Sequence, residues 1–243
     1  MTKQIALLSL LALGFVACKD ETVDSADVRT SGIHAEFDVL ATGNAKAVAS
    51  GKLTVGTGDT SLVLTGDDKL VVSAADANKT MSRDGDYYRA TFNGDAGETL
   101  YTFAFNRGTE DDTAPDSNVT LPDPFALVGP AATDQVSRAT QLTVTWAASA
   151  TADKMNWTLS GACLFDSKGT VATDGTITIA GTDYDVTPSA EKAASDPNDD
   201  SENCTATLCI FRKRTGTLDA AFNKYGGSVS AVQQRCTKFV SVP

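Results

Sequence analysis

Histidine occurs once in this chain, at position 34. Nucleophilic catalysis through a Ser or Cys needs a base within hydrogen-bond reach, usually an imidazole. His34 opens the alternating stretch His34-Ala35-Glu36-Phe37-Asp38-Val39-Leu40, and no second histidine exists to serve another nucleophile. Neither H-E-x-x-H, G-x-S-x-G nor the phosphate loop G-x-x-x-x-G-K-S/T is present. Carboxylates are abundant, 31 in all, so pairs at glycosidase spacing arise by chance and single out no residue. One acidic stretch has a definite spacing. Asp196, Asn198, Asp200 and Glu202 place oxygen ligands at alternate positions, as the start of a calcium loop does. Ser201 stands where such a loop needs its sixth-position glycine, and Thr207 where it needs glutamate. The same stretch also reads as a solvated loop closed by Cys204. Glu110-Asp111-Asp112 reads as a solvated linker.

The remaining chemistry-bearing residues are cysteines: Cys18, Cys163, Cys204, Cys209 and Cys236. Four lie in the second half, an even set suited to two disulfides in an exported chain. Three connectivities are possible. A hairpin from Thr205 to Val242, centred near Asn223-Lys224-Tyr225-Gly226, would put Cys209 opposite Cys236 and leave Cys163 for Cys204. Cys204 and Cys209 are five apart, so on one strand they face opposite sides. Zinc is the competing reading, but structural zinc uses close pairs of cysteines and only one loose pair exists here. Cys18 is the odd one.

Cys18 ends an apolar run, Ile5 to Ala17, that follows Lys3. The run is shorter than the ~20 residues a spanning helix needs and has the layout of a secretory signal. Leu13-Gly14-Phe15-Val16-Ala17-Cys18 resembles the lipobox of bacterial lipoproteins. Val16, Ala17 and Cys18 fit it; Phe15 stands where leucine is usual. The resemblance implies cleavage before Cys18 and acylation of that residue, which anchors the protein to a membrane. Two or more acyl chains suffice for stable attachment. By the same resemblance Lys19, in place of aspartate, favours the outer membrane over the inner. Residues 18–32 then form an acidic tether.

What positions these residues is a set of short strands. The net charge is −11 with 42% hydrophobic residues, a balance that suits a globular protein and discourages nucleic-acid partners. Arg212-Lys213-Arg214 is the one basic cluster and is too short for such a site. Alternation marks strands at His34–Leu40, Ala47–Val55, Ser61–Leu64, Lys69–Ser73, Tyr88–Phe92 and Leu100–Phe105. Asn93-Gly94-Asp95-Ala96-Gly97-Glu98 reads as a hairpin-type connection. Arg107 to Ser117 reads as loop, and Val119 to Phe125, with two prolines, as an extended crossing. A second series follows at Gln141–Trp146, Lys154–Ser160, Gly175–Ile179, Thr205–Lys213 and Ser228–Val242. Leu142-Thr143-Val144-Thr145-Trp146 resembles a strand of immunoglobulin-like or fibronectin type III modules, which implies a β-sandwich with a binding or spacer role. Trp146 and Trp157 sit in alternating strands and read as core rather than as sugar platforms.

The expected architecture is all-β: two tandem antiparallel β-sandwich, immunoglobulin-like domains after a cleaved signal peptide. The boundaries are signal 1–17, tether 18–32, first sandwich 33–113, linker 114–130 and second sandwich 131–243. The expected function is that of a lipid-anchored protein of the bacterial cell envelope with a binding or structural role and no catalysis. The alternatives are a carbohydrate- or calcium-binding surface module, or an envelope hydrolase. Expected partners are the membrane through Cys18 and another envelope protein or a polysaccharide. No cofactor other than calcium is expected.

Overall fold

A computed structural model describes residues 21–58, 60–108, 112–181, 203–222 and 224–243. Alternation governs what forms. In β2 (Ile33–Ala41) every odd position, Ile33, Ala35, Phe37, Val39 and Ala41, is fully buried, while the even ones reach solvent. A strand with that pattern must lay one face on a core. The other early strands are β1 (Thr22–Asp24), β3 (Lys46–Val55), β4 (Ser61–Val63), β5 (Lys69–Ala74), β6 (Ala77–Thr80), β7 (Ser82–Asp84), β8 (Tyr87–Asn93), β9 (Leu100–Asn106) and β10 (Ala114–Thr120). They make two facing layers. One runs β1-β4-β3-β2, with β8 and β7 also reached from β3; the other runs β10-β9-β5-β6. Phe37 of the first layer stacks on Phe103 of the second, ring centroids 4.8 Å apart. Each such buried ring contributes ~2–3 kcal/mol.

The second series is β11 (Gln135–Ser137), β12 (Leu142–Thr145), β13 (Lys154–Gly161), β14 (Leu164–Thr170), β15 (Thr176–Ile179), β16 (Cys204–Thr215) and β17 (Gly227–Val242). Here β14-β13-β16-β17 faces the two-stranded sheet β12-β15. A separate core fills the gap, with Val144, Trp146, Leu159, Ile179, Leu208, Ile210 and Phe239 buried in it. The hairpin of β16 and β17 pairs Cys204 with Ser241 at one end and Thr215 with Ser230 at the other. The chain is therefore all-β with two β-sandwich cores. Antiparallel pairing dominates, and β1–β4, β2–β17 and β11–β17 are parallel.

The domain boundaries differ from those expected. The first half of β17, Gly227 to Gln233, runs parallel to β2 and adds a strand to the first sandwich. Phe222, Val229 and Ala231 belong to the first core, and Phe239 to the second. One sheet of eleven strands thus passes through both units, and the first is not complete at residue 113.

The expected tether is also shorter. Thr22–Asp24 pairs with β4, and Ser25 and Thr30 are fully buried. The reason is Arg107, whose guanidinium donates to the carbonyls of Ser25 and Val28 at 2.7 and 2.6 Å. The expected linker begins with a strand, β10, whose pairing with β9 shifts register between Ala114 and Ser117. The connection 93–99 closes no hairpin: β8 pairs with β3 and β7, while β9 pairs with β5 and β10, so the segment carries the chain from one layer to the other.

Candidate functional site

Cys18 and the candidate calcium ligands Asp196, Asn198, Asp200 and Glu202 lie outside the described residues. The other four cysteines form Cys163–Cys204 and Cys209–Cys236. Cys209 and Cys236 face one another directly in the β16–β17 register. Among the described residues, no three His, Cys, Asp or Glu side chains are grouped as metal ligands would be. Among them, too, no helix is long and apolar enough to cross a membrane. Trp146 is buried, and its indole N–H donates to Asp174 at 2.7 Å; Trp157 packs half-buried at the margin of the second core.

His34 sits on the solvent face of β2. Its Nδ1 lies 2.9 Å from the carbonyl oxygen of Tyr225, and its Nε2 lies 3.5 Å from Glu36. Across the β2–β3 pair it faces Thr54, and Glu36 faces Lys52. These residues and Tyr225 line a hollow of about 260 Å³. The imidazole's ring nitrogens meet a carbonyl and a carboxylate, which orient it on the surface.

Among the described residues, a charged cluster lies where the two sandwiches meet, and it draws on the basic triplet. In β16 the buried face carries Ala206, Leu208 and Ile210, and then Arg212, which is 1% exposed. The strand's period of two forces this guanidinium inward. It donates to the carbonyls of Asp123 at 3.0 Å and Ala147 at 3.4 Å, and to both carboxylate oxygens of Asp174 at 3.0 and 3.1 Å. It also lies 4.9 Å from the centroid of Phe125. Lys213, next along, is exposed.

Arg214 returns to the inner face. It grips Asp153 at 2.7 and 2.9 Å and Glu98 at 2.9 and 3.1 Å. Glu98 belongs to the 93–99 connection of the first sandwich and Asp153 to the loop before β13, so one side chain ties both units. Arg235 on β17 adds a second tie. It donates to the carbonyl of Ala41, pairs with Asp95 at 3.5 Å, and lies 5.7 Å from Phe125 on that ring's other charged contact. Gln233 donates to the carbonyl of Asp95 at 2.8 Å.

The electrostatics suit fixation. Burial raises the pKa of Asp153, but hydrogen bonds from Arg214 and Thr151 and the charges of Arg214 and Arg212 outweigh it and hold the carboxyl below its ordinary value. At Asp174 burial is likewise outweighed, by the Ser149 N–H, the Trp146 indole and Arg212. The hydrogen bonds that Arg214 donates to Asp153 and Glu98 push it up, while burial pulls Arg235 down against the charge of Asp95. The Asp153 and Asp174 carboxylates held ionised and the Arg214 guanidinium held charged are not poised to exchange protons near neutral pH. The cluster can hold surfaces together. The triplet was visible in sequence; the signal of its role is that Arg212 shares a strand face with Leu208 and Ile210.

No family model matches the chain, and no curated protein matches it. Among solved structures it is similar to the adhesin InvE of Yersinia pseudotuberculosis, at 13% identity and TM-score 0.25, covering 86% of this chain and 59% of that one. It is similar also to Salmonella alpha-2-macroglobulin, at 10% identity and TM-score 0.25, covering 86% and 15%. The chain thus spans less than two thirds of either structure, and an overlap this low carries no inference about its role.

Proposed function

We propose that the chain is a non-catalytic, lipid-anchored protein of a bacterial cell envelope, at the outer membrane rather than the inner, which holds a binding surface in fixed orientation. Its partner class is another envelope protein or a polysaccharide. The observation that carries the reading is β17. This strand of sixteen residues completes both sandwiches, and two arginines, Arg214 and Arg235, tie the units beside it. A body so tied keeps its two ends in fixed relation, which suits display or spacing, whereas domain closure around a substrate needs a hinge. The anchor follows from the lipobox resemblance at Cys18.

Cell fractionation with detergent phase separation tests the anchor. Wild type enters the detergent phase, and Cys18→Ser enters the aqueous phase or stays unprocessed. An unlipidated, soluble wild type recovered from cells refutes it.

A further inference from the structure

At one end of the first sandwich the β5–β6 turn and the 93–99 connection enclose a cleft of about 500 Å³, within the ~300–1,000 Å³ typical of small-molecule sites. Tyr101 lines it and is only 2% exposed, its ring edge-on to Phe92 at 5.4 Å. A buried tyrosine hydroxyl normally finds a partner. The nearby buried Tyr88 has two: it donates to the carbonyl of Leu62 and accepts from the N–H of Leu64. Among the described residues the Tyr101 hydroxyl has no protein partner, yet it is not one of the buried orphaned polar atoms, so it meets solvent where Tyr101 lines the cleft. Burial, and then the charge on Asp95, push this phenol up, so it presents a neutral O–H.

The rest of the lining is mixed. Lys79 lies over the Phe92 ring at 5.2 Å and donates to the Thr91 carbonyl, which fixes the ammonium with donors to spare. Asp76 and Asn93 stand at the rim with polar side chains. Between them are methyl groups, those of Ala74, Ala75 and Ala77. Ala75 has φ +48°, and the other non-glycine residues with positive φ among those described are Ala45 and Glu98. Ala45 accepts from the N–H of Gly94 on the cleft wall, and Glu98 lies in the 93–99 connection. Backbone strain of this kind, ~1–3 kcal/mol per residue, gathers at binding sites.

These features select a ligand class. Alternating methyl groups and hydrogen-bonding groups match a ring that has C–H faces and a hydroxyl edge. Asp76 and Lys79 balance in charge, and the chain's net charge of −11 disfavours an anion. Phe92 and Tyr101 are too buried to act as stacking platforms along a polymer, so one ring enters rather than many lying flat.

We infer that this cleft binds one ring of a neutral sugar, with Tyr101, Lys79, Asp76 and Asn93 on its hydroxyls and the alanine methyl groups on its C–H face. The inference rests on the binding role proposed above and names its ligand class. The test uses the full chain purified in detergent and ligand-observed saturation-transfer NMR. The probes are the methyl pyranosides of glucose, galactose, mannose and N-acetylglucosamine. At least one binds with Kd of about 1 mM. Tyr101→Phe keeps the ring and removes the hydroxyl, weakening that probe about five- to ten-fold. Ala77→Trp, at an exposed position, fills the cleft and abolishes binding. Thermal melting shows that both variants are folded. No binding by any probe up to about 20 mM, or unchanged affinity in either folded variant, overturns the inference. Fractionation of Cys18→Ser reads the anchor independently, so either result can fail without the other.

Discussion

Replacing Arg212 with alanine should loosen the second sandwich where the crossing segment docks on it, and the structure sets the size of the effect. The side chain is 1% exposed. Two carbonyls, those of Asp123 and Ala147, lose this donor, at about 1 kcal/mol each. Asp174 keeps its bonds from Trp146 and Ser149 at 2.7 and 2.8 Å and is 26% exposed. Its lost ion pair therefore counts about 1 kcal/mol rather than the full cost of a buried orphan charge. The cation over Phe125 at 4.9 Å adds about 1 kcal/mol. Together these give about 4 kcal/mol. For a chain of this size each kcal/mol moves Tm by about 2–4 °C, so melting falls by about 10 °C. Urea unfolding of Arg212→Ala, Asp174→Ala and the double variant supplies the coupling, expected above about 1 kcal/mol. Lys213→Ala, on the exposed side of the same strand, stays within about 0.5 kcal/mol. A loss below about 1.5 kcal/mol in Arg212→Ala, or additivity in the cycle, would refute the reasoning.

Three further outcomes follow from features already described. Asp153 and Asp174 have folded pKa values below the ordinary 3.8, so the unfolded chain binds more protons there. Their contribution is complete above about pH 4 and is lost as pH falls through the folded values; urea midpoints measured from about pH 5 to 2 should fall, and less so in Asp153→Asn. Cys236 is exposed, whereas Cys163 is 3% exposed; limiting reductant followed by alkylation and mass mapping should therefore label Cys209 and Cys236 first. Loss of Cys163–Cys204, whose ends are 41 residues apart, should cost about 4 kcal/mol. Gly227 has φ +147°, and a Cβ there would meet the Ala35 carbonyl oxygen at 1.8 Å. Gly227→Ala should thus cost at least about 3 kcal/mol and expose β2 amides to hydrogen exchange, whereas Gly66→Ala, with open space around it, should cost about 1 kcal/mol.

The strands that face a core on one side only were legible, because a period of two in Phe37/Val39 or Leu142/Val144 has one physical meaning. The Cys209–Cys236 register was legible too: a symmetrical hairpin fixes which residues meet. What stayed hidden was burial achieved without hydrophobicity. Ser25 and Thr30 are sealed in by Arg107, and Ser117 is buried at a register shift. No apolar pattern reports such residues. β14 was missed because six of its seven residues reach solvent at least in part, as an edge strand allows. The division of β17 between two cores was unreadable for another reason. Alternation in Val229, Ala231 and Phe239 says that one face is buried, but not against which neighbour. The seam was half legible: Arg212 and Arg214 stood out as charges, but their partners come from Glu98, Asp153 and Asp174, remote in sequence.

The shared strand also sets an order of events during synthesis. Ala35 pairs with Gly227, a separation of 192 residues. A chain made from its N-terminus therefore extrudes β2 and β3 long before their last neighbour exists. Until β17 arrives, one edge of β2 offers free amides and carbonyls, and Phe37 has no Phe222 beside it. Exposed edges of this kind invite pairing with other chains, and contacts this distant in sequence slow folding. The unit nearest the N-terminus is accordingly the one most sensitive to loss of the C-terminus. A chain stopped before residue 227 leaves β2 without its parallel neighbour and β16 without its hairpin partner, so both sandwiches lose a strand at once.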